Sequence, residues 1–101
     1  MNTVEMTRFR VPGARADALL AARPAMLRDF ESDRAGFLGA RLIRLGDPVD
    51  QWLDIVFWRT PEDFAESRRR GANRPGIKTF FGLIDEVISS EEGTTSDPVD
   101  A

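Results

Sequence analysis

Apolar and polar residues alternate with two different periods along this chain, and the switches between them outline its elements. "WLDIVFWRTPEDF", residues 52 to 64, alternates as a strand should, with Trp52, Asp54, Val56 and Trp58 on one face and Leu53, Ile55 and Phe57 on the other. Both faces are rich in large hydrophobes, and a carboxylate lies between two indoles. "GFLGARLIRL", residues 36 to 45, is likewise apolar on two sides, with Phe37, Ile43 and Leu45 against Leu38, Ala40 and Leu42. The turn-forming "GDPVDQ" joins the two, so residues 36 to 58 are expected to form a β-hairpin with a loop of about six residues.

"TVEMTRFRV", residues 3 to 11, predicts a first strand ended by Pro12-Gly13. Its apolar side changes from Val4 and Met6 to Phe9 and Val11, which calls for a bulge or for cover on both faces. From Arg15 to Asp33, Leu19, Ala22, Met26 and Phe30 take the spacing of one helical face. Pro24 removes a backbone donor, so a kink or restart is expected near Arg23. Thr60, Pro61 and Asp63 give an N-cap, a first-turn proline and an acid at the positive helix end, predicting a helix from Pro61 to about Arg70. "IKTFFGLI" predicts a short helical turn and "DEVISSE" a weaker fourth strand. "EEGTTSDPVDA" is polar and poor in hydrophobes, so residues 91–101 are expected to be a disordered acidic tail after a domain spanning 1–90.

The resulting order βαββαβ is a ferredoxin-like α+β arrangement, an antiparallel four-stranded sheet with two helices on one face. Two helices cover one side of a sheet. The two-sided strands therefore require a second cover, and each buried Leu-, Ile- or Phe-sized side chain is worth about 1.5–3 kcal/mol. A homodimer with two sheets packed face to face is the expected solution.

Composition narrows the chemistry. The chain has 101 residues, enough for one domain, and contains no cysteine, histidine or tyrosine. A Ser-His-Asp triad, a Cys-His dyad, histidine-ligated zinc and axial-histidine haem are excluded. Net charge is formally −3, but residues 1–90 hold 14 bases and 13 acids, a balance that argues against nucleic acid as partner. No apolar run suggests a signal peptide or a membrane span, so a cytoplasmic location without membrane attachment is expected.

"GFLGARLIRL", "WLDIVFWRTPEDF" and "FFGLID" resemble the antibiotic biosynthesis monooxygenase family of dimeric α/β barrels, over roughly residues 3 to 90. The resemblance implies a cofactor-free enzyme acting on a small aromatic, polyketide-type substrate with dioxygen. In its polyketide branch a strand-ending Trp and an Asn four residues earlier line the site. Trp58 matches the first and Asp54 stands at the second; Phe64 stands where a tyrosine is expected, and Lys78 at best replaces an arginine. The haem-degrading branch needs an Asn where Thr7 or Arg8 stands, a Trp where Ser67 stands and a histidine that the chain does not have.

The candidate catalytic residues are thus Asp54, a desolvated base, and Trp58. Trp52, Phe64, Lys78 and Arg8 are candidates for substrate binding, the Trp residues as stacking walls. Asp54 has a second reading as the ion-pair partner of an arginine such as Arg8 or Arg41 on a neighbouring strand, and the Trp residues a second reading as core. "SRRRG", residues 67 to 71, reads as a solvated helix end. A polyketide cyclase or isomerase using Asp54 as base, and a non-catalytic ligand-binding or interaction dimer, remain alternative functions.

Overall fold

A computed structural model describes residues 1–99. Strands β1 (Asn2–Arg10), β2 (Phe37–Arg44), β3 (Gln51–Trp58) and β4 (Glu86–Thr95) form one antiparallel sheet in the order β2-β3-β1-β4. Helices α1 (Ala16–Asp33), α2 (Pro61–Arg70) and α3 (Pro75–Gly82) complete the ferredoxin-like α+β fold. The short apolar turn expected after Arg74 is a full third helix, begun by Pro75 at its first position.

The hairpin loop is Leu45–Asp50, closed by the Leu45 N–H bonding the Gln51 carbonyl at 2.9 Å. In α2 the Thr60 hydroxyl accepts from the Asp63 N–H at 3.1 Å, Glu62 and Asp63 occupy the first turn, and Arg68, Arg69 and Arg70 the last. Capping and macrodipole therefore favour these ends.

Two expectations need correction. First, α1 runs through Pro24 as one element and does not restart there, burying Ala16, Leu19, Arg23, Met26 and Phe30 along a single face. The carbonyl deprived of its donor is that of Leu20, a residue on the exposed side of the helix. Second, β4 continues to Thr95, five residues into the segment expected to be disordered, because Asn2–Met6 of β1 supply a ladder for Glu91–Thr95. The Val99 carbonyl beyond it accepts from Arg41 at 3.2 Å; residues 100–101 of the expected tail lie outside the described residues. The irregularity allowed for in β1 falls in its ladder with β4, which shifts register between Arg8 and Phe9, while its pairing with β3 is unbroken.

That register settles the faces. Thr3, Glu5, Thr7 and Phe9 lie opposite Trp58, Val56, Asp54 and Trp52, so all eight share one side of the sheet. The core forms there, with Leu19, Met26, Phe30, Phe64, Ile77 and Phe80 contributed by the helices. Val4, Met6, Leu53, Ile55, Phe57 and Ile43 occupy the opposite side. Helices α1 and α3 approach closely at Gly76: its N–H donates to Asp29 Oδ2 at 2.7 Å, and a Cβ there would meet the Ala25 carbonyl oxygen at 2.6 Å.

Candidate functional site

Between the sheet and the helices lies a cavity of about 450 Å³, within the roughly 300–1,000 Å³ usual for small-molecule sites. Its apolar wall includes Phe9, Phe30, Val56, Phe80 and Phe81. Its polar groups include Glu5 and Thr7 of β1, Asp54 of β3, Arg68 of α2 and Ser90 of β4. Inward positions of β1 would ordinarily be apolar; here two of them are polar and face the cavity.

Glu5 is the distinctive group. Burial pushes its carboxyl above the ordinary carboxylate value, and the nearby Asp54 charge adds to that; the bond from Trp58 and the Arg68 charge pull the other way. The bond from Trp58 runs from indole Nε1–H to Glu5 Oε1 at 3.1 Å. Trp58 is itself held by aromatic packing: it stacks on Phe64 at 6.3 Å and meets Phe30 and Phe37 edge-on at 6.2 and 5.8 Å. A rigid aromatic cluster thus fixes the donor that fixes the carboxylate.

Asp54 lines the same cavity but is not an unengaged base. Arg23 reaches from α1 and donates Nη1–H to Oδ2 at 2.6 Å and Nη2–H to Oδ1 at 2.9 Å. This bidentate geometry occupies both oxygens, and the Arg23 guanidinium also stacks 5.3 Å from the Phe80 ring centroid. The ion-pair reading of Asp54 holds, with Arg23 as partner in place of Arg8 or Arg41. Both of those lie on the other side of the sheet, where Arg8 donates to Gln51 at 3.4 Å and Arg41 to the Val99 carbonyl.

The remaining candidates are dispersed. Trp58 acts on the cavity through Glu5 and does not line it. Phe64 lies behind Trp58, and Trp52 is buried in the core with Arg44 stacked 5.1 Å from its ring centroid. Lys78 is exposed on α3 and away from the cavity, because Ile77 and Phe80 occupy the inward positions of that helix. Arg8 is separated from the cavity by the sheet. Of the three arginines ending α2, Arg69 and Arg70 pair with Glu66, as a solvated helix end should, whereas Arg68 turns over the Phe64 ring and reaches Ser90.

Three residues of the candidate site escaped the sequence reading. Glu5 and Thr7 carried a signal, since they share the phase of Phe9. Arg23 carried one too, being seven residues before Phe30 and four after Leu19, on the apolar face of α1.

These features define a ferredoxin-like α+β domain with a ligand-sized cavity beneath its helices. Its fold is that of the antibiotic biosynthesis monooxygenases. A candidate antibiotic biosynthesis monooxygenase from Bordetella bronchiseptica superposes with a TM-score of 0.78 at 17% identity, over 93% of this chain and 96% of that one. SnoaB, a cofactor-independent oxygenase from Streptomyces nogalater, superposes with a TM-score of 0.67 at 20% identity, over 99% and 98% of the two chains. A similarly described protein from Caulobacter crescentus gives 0.72 at 9% identity, over 95% and 91%. No family model matches the sequence, and no curated protein matches it. No helix among the described residues is long and apolar enough to cross a membrane.

Proposed function

We propose that the cavity is the active site of a cofactor-independent oxygenase acting on a small, flat aromatic substrate, with Glu5 as general base. The observation that carries this reading is a half-buried carboxyl with a raised proton affinity, lining a phenylalanine-rich cavity and oriented by an indole N–H. A base of this kind is matched to an acidic phenol or to a C–H activated by an adjacent carbonyl.

In the proposed reaction Glu5 takes a proton from the activated CH₂ of an electron-rich polyphenol. The carbanion passes one electron to dioxygen, and the substrate radical and superoxide combine to a peroxide. Glu5 returns its proton to the peroxide oxygen. Loss of water then leaves a carbonyl, so that CH₂ and O₂ become C=O and H₂O. Asp54, bonded at both oxygens by Arg23, forms part of the cavity wall. SnoaB, described as a cofactor-independent oxygenase, supports this reading through its shared fold.

The working unit in this proposal is a homodimer. Leu53, Ile55 and Phe57 are only half-buried, and Ile43 is 41% exposed, on the sheet face that no helix covers. A second copy would remove that surface from water.

Oxygen uptake with a hydroxylated anthrone is the direct test. The proposal expects one O₂ consumed per quinone formed, and a loss of about two orders of magnitude or more in Glu5→Gln. Turnover without oxygen consumption would replace the oxygenase by a cyclase or isomerase using the same base. Full oxygenase activity in Glu5→Gln would remove Glu5 from the mechanism.

A further inference from the structure

Among the described residues Arg68 is the one cationic side chain in the cavity lining, and it is held without a carboxylate. Arg23 pairs with Asp54, Arg34 and Arg74 with Asp33, Arg10 with Asp85, and Arg69 and Arg70 with Glu66. Among the described residues Arg68 has no such pair. Its guanidinium carbon lies 5.0 Å from the Phe64 ring centroid, and Nη2 donates to the Ser90 hydroxyl at 3.0 Å. A guanidinium has five N–H donors in a planar fork. Stacking and one hydrogen bond fix the plane and leave the rest of the fork available at the mouth of the cavity.

The balance of charge around the cavity points the same way. Four acids among the described residues line it, but Asp54 is paired with Arg23 and Asp85 with Arg10. Burial disfavours the charge on Glu5. Glu86 is exposed at the start of β4. An anion entering beside Arg68 therefore meets a cation whose bidentate edge is not already spent, next to aromatic walls that accept a flat ring.

We infer that Arg68, braced by Phe64 and Ser90, is a specificity-determining anion subsite that selects aromatic substrates bearing a carboxylate. The inference rests on the reading of the cavity as an aromatic-binding site and adds the substituent that site recognises. The carboxylate would lie against Arg68 with the ring system running inward along Phe80 and Phe9. Planar, two-point recognition by the fork would orient the ring relative to Glu5, which a lysine could do only as a point charge.

Two near-isosteric probes test it: anthracene-2-carboxylate and the neutral anthracene-2-carboxamide, titrated calorimetrically into the full chain at neutral pH and low salt. The expected result is at least a tenfold preference for the carboxylate, narrowed to under about threefold in Arg68→Gln and reduced as salt is raised. Arg68→Lys should keep part of the preference. Equal affinity for the two probes in the unaltered protein, or an unchanged preference in Arg68→Gln, would overturn the anion subsite while leaving the aromatic cavity standing. Failure of both probes to bind the unaltered protein would overturn the cavity reading and the subsite with it.

Discussion

Arg23 and Asp54, 31 residues apart, meet across the helix–sheet interface in a two-point ion pair whose side chains are 10% and 12% exposed. Each charge is tolerated there because the other is present. Removing one partner strands the second in a medium that solvates it poorly, which typically costs about 3–5 kcal/mol, whereas replacing both with apolar residues of similar size is often neutral. Urea denaturation should therefore show Arg23→Met strongly destabilised and Arg23→Met/Asp54→Leu substantially recovered. A single variant as stable as the unaltered protein would contradict a structural role for the pair.

Glu5 couples stability to pH in the opposite sense from most carboxylates. Its folded proton affinity is raised mainly by desolvation, so between the ordinary carboxylate value and the folded value the native state holds more protons than the unfolded chain. Stability should fall as pH rises through that window. Glu5→Gln should flatten this slope and be at least as stable at neutral pH, as thermal melts over a pH series would show. A slope that survives in Glu5→Gln would assign it to another group.

Trp58 offers a separable effect. Its N–H stabilises the ionised form of Glu5, so Trp58→Phe should raise the proton affinity of Glu5 further and move the rising limb of the pH–rate profile to higher pH. The readout is the position of that limb. A profile that loses height at every pH without moving would mean that Trp58 serves packing alone.

Asp33 behaves in the conventional direction. Bonds from Asn73 and Arg74, with Arg34 beside them, hold its carboxyl well below the usual carboxylate range. Its contribution is present above the unfolded value and is lost as pH falls below it through the folded one. Asp33→Asn should weaken the protein at neutral pH and show a shallower loss of stability on acidification. Equal acid sensitivity in the two proteins would remove Asp33 from the account.

The sheet face that no helix covers gives a prediction about assembly. Sedimentation at micromolar concentration should find a dimer, and Ile43→Glu with Ile55→Glu should shift it to the monomer. A compact monomer of the unaltered chain would contradict the proposed working unit.

Much of the architecture was readable in the residues, and particular positions show why. Period-two alternation in 52–58 placed Trp52, Asp54, Val56 and Trp58 on one face, where they lie. Thr60, Pro61 and Asp63 located the start of α2 through local capping chemistry. The site was less legible because its key contacts join distant segments: nothing near Asp54 in sequence announces Arg23, and Glu5 is desolvated by packing from distant segments and oriented by Trp58, 53 residues away. Pro24 drew the local reading toward a break in α1 and hid the fact that Arg23 holds an inward position. Lys78, Arg8 and Trp52 were plausible by residue type, and the register of the sheet and the faces of the helices put them elsewhere.

The most direct test of the central claim is a carbon-13 NMR titration of the Glu5 side-chain carboxyl in the folded protein. The account predicts a midpoint clearly above the ordinary glutamate value of 4.5, moving higher still in Trp58→Phe. A midpoint at or below that value would show a well-solvated or fully stabilised carboxylate, and Glu5 could not be the tuned base of this cavity.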